Sequence, residues 1–250
     1  MKIVKTKTPK EVREFDGDYP QNLDPVDVVE IFNTPLTGSY NWDYTVQDNR
    51  IKKLYELGKQ LNWNAEIDVD WSPEYPDITE EEFQFEDEQW KRHPVYKTWD
   101  EEKRKQFFRD LSSWSISQFL HGEQGALLVA SQLTSCAPTF NAKLYAASQT
   151  FDEARHVEAF NKYLQTRMKK TWPIGRGLKG LLDKILTDPR WDLKFIGMQV
   201  IIEGLALAAF QTSKETSRDP VYKQMIEYII RDEARHVTFG INYLTDFVQT

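Results

Sequence analysis

From about residue 100 onward, apolar positions recur every three or four residues in long runs with few breakers, the periodicity of helices that bury one face. Four such runs cover roughly 101–134, 139–169, 190–217 and 219–248. Pro138 stands near the start of the second, and Asp219-Pro220 reads as the cap and first position of the fourth. The connector 170–189 contains Pro173, Gly175, Gly177 and Gly180, with a short helix expected over 178–186. Before residue 100 the texture is different. That stretch carries seven of the eleven prolines and five of the eight tryptophans, so turns and short helices are expected there. One helix stands out over 46–61, where Ile51, Leu54, Tyr55, Leu57 and Leu61 fall at helical spacing. The acidic stretch 79–89 reads as a solvated helix start, because Phe83 and Phe85 interrupt it and no histidine lies among the acids. The pattern predicts an all-α protein. A four-helix bundle over 101–250 is expected to carry an N-terminal preface, 1–100, packed on it as one integrated domain.

Composition narrows the class. Hydrophobic residues make up 40% of the 250 and charged residues 28%, an ordinary globular balance. The net charge of −7, with no long basic stripe, argues against a nucleic-acid partner. The single cysteine, Cys136, excludes an internal disulfide, a Cys-rich zinc site and a paired-thiol redox motif, and reads as a small buried helix residue. The N-terminus runs from Met1-Lys2-Ile3 into Thr, Pro, Lys and Glu without an apolar leader, and no stretch is expected to reach the roughly 18 apolar residues of a membrane span. A soluble, cytoplasmic protein is therefore expected. The fourth helical pattern reaches Thr250 without a stop signal, so continuation of the native chain past that point is left open.

The chemistry lies in a repeat. Residues 152–157 and 232–237 both read Asp-Glu-Ala-Arg-His-Val, and the offset of 80 also carries Glu123 onto Glu203 and Ala126-Leu127 onto Ala206-Leu207. Each half therefore has a glutamate on one helix and Glu-x-x-His on the next. Glu153 and His156, like Glu233 and His236, stand three residues apart and project from one helix face. Glu123 and Glu203 sit in apolar surroundings, GEQGALLVA and QVIIEGLALAAF, where a lone carboxylate is costly to bury unless a proton or cation neutralises it. One glutamate from each of two helices and Glu-x-x-His from each of the other two is the ligand set of di-metal helical bundles. Carboxylate and imidazole donors without thiolates suit iron or manganese. Asp152 and Asp232 are expected to brace the imidazoles across the bundle, Asp152 on His236 and Asp232 on His156, since metal-bound histidines commonly donate their second N–H to a carboxylate. An ion pair with a nearby arginine or with the histidine of the same motif is the competing reading. Arg155 and Arg235 read as ion-pair residues near the site or on the surface, and His93 and His121 as ordinary residues. Gly125, Ala126, Gly204 and Ala208 either leave room for a substrate or let helices pack closely.

On these residues the chain resembles the ferritin-like di-iron carboxylate superfamily over roughly 100–248. RDEARHVTFG at 231–240 is similar to the corresponding stretch of ribonucleotide reductase small subunits, and the doubled motif to hydroxylase subunits of bacterial multicomponent monooxygenases. The segment YNWDYTVQDNRIKKLYELGKQLNW loosely resembles the preface of those larger enzymes. By motif position, the resemblance implies the ligands Glu123, Glu153, His156, Glu203, Glu233 and His236 around two iron ions, with manganese–iron as the variant. It implies a di-iron oxygenase or oxidase that activates O2 against a small organic substrate. Its electrons would come from an external donor such as a reductase or ferredoxin, and a homodimer is compatible. Tryptophans and tyrosines of the preface are either electron relays or, for most of them, core. A radical-generating subunit and a non-catalytic iron-binding protein stand as alternatives.

Departures narrow the choice. The radical tyrosine of typical ribonucleotide reductase small subunits is replaced by Phe160, although manganese–iron variants also have Phe there. The Val–Tyr cross-link of ligand-binding oxidases is not expected, because Gly125 and Met198 occupy its positions. Ile229 stands where arylamine N-oxygenases have a third histidine. Rubrerythrins need a Cys-rich domain, and storage ferritins lack a preface of this size.

Overall fold

The computed structural model describes residues 13–15, 17, 38–40, 42–46, 48–76 and 89–248. Nearly half of the preface, including 79–88, lies outside them. Its helix is α1, Asn49–Gln60, which starts three residues later than the apolar spacing alone suggests. Asp48 sets that start by accepting from the backbone of Arg50 and Ile51. Two short helices, α2 (Gln89–Arg92) and α3 (Pro94–Lys97), lead into the bundle.

Three of the four bundle rods begin where a polar side chain satisfies their first amides. Asp100 accepts from Lys103 N at 2.8 Å and opens α4, Glu101–Cys136. Thr139 caps α5, Phe140–Tyr163, which widens into a π-helical turn, Leu164–Met168, and ends where Lys169 turns left-handed at φ 54°. The connector forms α6, Arg176–Thr187. The third predicted run is one continuous rod of α7 (Trp191–Phe195), a π-helical segment (Ile196–Ile202) and α8 (Glu203–Thr216). Asp219 accepts from Val221 N at 2.9 Å, and Pro220 begins α9, Pro220–Val248. Among the described residues, the only strands are β1 (Arg13–Glu14) and β2 (Lys170–Thr171), a two-residue antiparallel ladder with Arg13 opposite Thr171.

In the bundle α4 packs on α5, α8 on α9, and α5 on α9, while α1 lies against α5 and α9 and α6 against α4. Along every bundle helix the buried residues fall into three zones. One apolar cluster gathers Ile116, Phe160, Tyr163, Phe210, Met225 and Ile229. A second gathers Val129, Leu133, Tyr145, Phe195, Met198 and Phe239. Between them each helix buries charge: Glu123 on α4, Glu153 and His156 on α5, Glu203 on α8, Glu233 and His236 on α9. Burial of the apolar side chains contributes about 1.5–3 kcal/mol each. The two clusters thus hold a polar layer that does not stabilise itself.

Contrary to the sequence expectation, one helical run among the described residues, Trp191–Thr216, is long and apolar enough to cross a membrane, an 18-residue stretch within it reaching a mean hydropathy of 1.7. Several of its apolar side chains are exposed, among them Val200, Ile201 and Leu205. Gln199 and Glu203 are nevertheless buried in its middle, as suits a bundle helix that faces a polar layer. Cys136 is half-buried at the last turn of α4. His93 caps α3, and His121 Nε2 lies 2.9 Å from the Trp172 carbonyl.

Gly125 packs closely rather than leaving space. A Cβ there would lie 2.6 Å from Leu182 Cδ2, and one at Gly197 would lie 3.0 Å from Ile185 Cγ1, so these glycines seat α6 on the bundle. Gly204 has nothing within 4 Å of such a Cβ. Gly125→Ala is expected to cost about 1–3 kcal/mol of stability by denaturant unfolding, because Leu182 must leave its seat. Adding Leu182→Ala should cancel part of that cost; full additivity of the two changes would contradict the contact.

Candidate metal centre

The structure brings all six repeat-derived residues into one layer, no more than 4% exposed. Glu123, Glu153, His156 and Glu233 offer ligand atoms within 4.8 Å of one another, and so do Glu153, Glu203, Glu233 and His236. Glu153 and Glu233 belong to both groups. His156 Nδ1 lies 3.1 Å from Glu123 Oε2, 3.3 Å from Glu153 Oε2 and 3.1 Å from Glu233 Oε1. His236 Nδ1 lies 3.1 Å from Glu153 Oε1, 3.7 Å from Glu203 Oε2 and 3.5 Å from Glu233 Oε2. The imidazole centroids are 6.0 Å apart. The geometry is that of two adjacent sites sharing two carboxylates.

Around this inner layer lies an outer one. Asp232 Oδ2 is 3.2 Å from His156 Nε2, and Asp152 Oδ2 is 3.2 Å from His236 Nε2, so each aspartate meets the histidine of the other motif. Arg155 Nη2 donates to Asp152 at 2.5 Å and Asp232 at 3.2 Å, and Arg235 Nη2 to Asp152 at 3.0 Å and Asp232 at 2.7 Å. Both arginines are buried, not surface residues. The crossed brace and the arginine pairing, alternatives in the sequence, coexist. Two aspartates and two arginines leave the outer layer neutral. Four glutamates with two neutral imidazoles leave the inner layer four charges short.

Sequence reasoning missed two groups. Trp63, from the preface, donates its indole N–H to Asp232 Oδ2 at 2.7 Å and stacks on Tyr228 with centroids 5.0 Å apart. Gln149 donates from Nε2 to Glu153 Oε1 at 3.1 Å and to Glu203 Oε1 at 3.0 Å, tying two carboxylates together. Its spacing of four residues before Glu153 on the same helix face was the available signal. The π-helical segment has a local consequence as well. Glu203 N–H bonds back to Met198 O, five residues away, which breaks the symmetry with α4 just before the glutamate.

Burial, with Glu233 close by, pushes the Glu123 and Glu203 carboxyls well above the usual range. Burial also resists ionisation of Glu153, but His236 and His156 hold it well below. Glu233, which burial and Glu153 would raise, is held down to about 2 by Glu203 and His236. Burial opposes the charge on His156 and His236, yet the surrounding carboxylates raise both well above the ordinary value. Protons on Glu123, Glu203, His156 and His236 therefore supply the positive charge that the inner layer lacks.

A divalent cation would displace those protons, and the donor set fits one. Glu153 Oε2, both Glu233 oxygens and His236 Nδ1 are buried without a hydrogen-bond partner. Such orphaned polar atoms are rare unless an ion completes them. Asp232→Asn is expected to weaken metal binding about 10–100-fold, because His156 loses the acceptor that fixes its orientation. Titration of iron or manganese into the variant and the wild type measures this; equal affinities would contradict the brace.

A helical bundle wrapped around a buried carboxylate–imidazole layer defines a ferritin-like fold. Solved structures share it. An R2-like ligand-binding oxidase variant with an aerobically reconstituted Mn/Fe cofactor is similar at 22% identity, with a TM-score of 0.52, over 78% of this chain and 72% of that one. The R2-like ligand-binding oxidase from Sulfolobus acidocaldarius is similar at 20% identity, TM-score 0.52, over 80% of this chain and 72% of that one. No protein-family model matches the chain, and no curated protein matches it in sequence. At these identities the likeness establishes the fold.

Proposed function

We propose that the chain is an O2-dependent oxidoreductase acting on a small organic substrate, with two metal ions, iron–iron or manganese–iron, held by Glu123, Glu153, His156, Glu203, Glu233 and His236. The observation that carries this reading is the unbalanced inner layer beside the balanced outer one. The fold's similarity to oxidases with a Mn/Fe cofactor supports it. The metals, when bound, would supply redox equivalents and a Lewis-acid template for O2.

The chain's own residues set the conditions. Glu153 and Glu233 would be shared between the ions, Glu123 and His156 would serve one, and Glu203 and His236 the other. Asp232 and Asp152 accept from the imidazole Nε2–H groups, which turns the Nδ1 lone pairs inward. Gln149 limits how far Glu153 and Glu203 can swing. Phe160, one turn beyond His156, places a ring without a hydroxyl beside the layer, and with Phe119 and Phe210 it excludes water. The preface works with the bundle as one unit: Trp63, stacked on Tyr228 and bonded to Asp232, offers a route for electrons from an external donor.

The full chain, loaded with iron or with iron plus manganese without oxygen and then exposed to O2, should develop a transient visible absorption and oxidise an organic substrate in the presence of reductant. Turnover without metal would sink the proposal. Deposition of a mineral core without substrate oxidation would favour the iron-binding alternative.

A further inference from the structure

A cavity of about 390 Å³ lies at the end of the bundle where α4, α8 and the start of α9 converge. We propose that it binds the organic substrate, and that the substrate is a neutral ring compound bearing a hydrogen-bond donor, a phenol or an indole-like N–H. The inference rests on the oxidoreductase reading above and gives that reading its substrate class. The volume falls within the roughly 300–1,000 Å³ of small-molecule sites.

Position is the first argument. Phe119 lines the cavity and stands one helical turn before Glu123. It packs on Phe210 at 4.9 Å and Phe160 at 5.9 Å between centroids, and Phe160 stands one turn beyond His156. A single layer of rings thus separates the cavity from the metal-binding layer. On the opposite side of Glu123 the space at Gly125 is filled by Leu182.

Chemistry is the second. Ile116, Phe119, Met168, Ala209 and the rings of Tyr75 and Tyr222 give an apolar body. Thr212, Ser213 and Thr216 line one wall from α8, and their hydroxyls donate to backbone carbonyls of the same helix at Ala208, Phe210 and Thr212. Their hydrogens are committed, and Ser213 also accepts from Tyr222 Oη at 3.0 Å, so the lone pairs left on Thr212 and Thr216 make this wall an acceptor of hydrogen bonds. Among the described residues, Asp219 is the one carboxylate in the lining, and it already accepts from Tyr163 Oη at 2.8 Å and Val221 N at 2.9 Å. Among the described residues, no lysine or arginine lines the cavity to receive a carboxylate ligand.

Calorimetric titration of the iron-loaded full chain with naphthol, its methyl ether, naphthoate and naphthylmethylamine tests the assignment. Naphthol should bind, with the ether and the naphthoate weaker by about tenfold or more. Ala209→Phe, which fills the cavity, should lower naphthol affinity by about tenfold or more, and Thr212→Val, which keeps the shape but removes an acceptor, by about fivefold. Metal content should be unchanged in both variants. Equal naphthol binding by both variants and the wild type would overturn the proposal, as would preference for the naphthoate or for the ammonium compound. The same titration on metal-free chain separates the two readings. Ala209-dependent binding in a chain that takes up no metal keeps the cavity and removes the oxidoreductase reading. Two bound metals with no naphthol binding remove the cavity assignment alone.

Discussion

Replacing Glu233 by alanine should remove both metal ions from the chain, whereas Glu123→Ala or Glu203→Ala should each remove about one. The asymmetry follows from geometry. Glu233 and Glu153 each belong to both ligand groups, and Glu123 and Glu203 to one apiece. Deleting a shared carboxylate takes a donor and a negative charge from two sites at once, and two cations then face each other with less between them. Metal analysis after gel filtration gives the answer directly. Two ions per chain retained by Glu233→Ala would refute the ligand assignment, and loss of both from Glu123→Ala would refute the division into two sites. The fold should survive these changes. In the metal-free state each variant loses one of four crowded carboxylates, so circular dichroism should show an intact bundle.

The second large effect concerns stability and pH. In the metal-free chain His156 and His236 are raised above their ordinary values, and so are Glu123 and Glu203. A group raised in the folded state holds its proton there after the unfolded chain has released it. Its contribution is complete below the unfolded value and is lost as pH rises through the folded one. The groups held low, Glu153, Glu233 and Asp232, act in the other direction, but only in acid. The metal-free chain is therefore expected to lose thermal stability from about pH 4.5 upward, where the two glutamates begin to matter, and more steeply above about pH 6.5, where the histidines join them. Metal ions replace the protons, so saturating iron or manganese should raise Tm on the order of 10 °C. The rise should be larger near pH 8 than near pH 6, with protons released on binding. A metal-induced shift that is equal at both values, or larger in acid, would contradict the picture of protons standing in for cations.

Much of this was legible in the chain itself, because it was written in short range or in exact repetition. The doubled Asp-Glu-Ala-Arg-His-Val at an offset of 80 marks the face that α5 and α9 turn inward, and the glutamates 30 residues earlier mark the partners on α4 and α8. The start of α9 followed from Asp219 and Pro220, a cap that acts within three residues of its own position; Asp100 and Thr139 cap α4 and α5 just as locally. What escaped depends on residues far apart in sequence. Trp63 meets Asp232 across 169 positions, and nothing around Trp63 distinguishes it from a core tryptophan. Gly125 accommodates Leu182 on a connector helix whose docking site the pattern does not specify. The π-helical segment before Glu203 is apolar throughout and reads as ordinary helix, since an extra residue in a turn leaves little trace in hydrophobic spacing.

The most direct test of the central claim is anomalous diffraction from crystals of the metal-loaded chain, collected at the iron and manganese absorption edges. The account predicts two peaks inside the bundle, both flanked by Glu153 and Glu233, one beside His156 and the other beside His236. A single peak, or peaks away from these six residues, would contradict it.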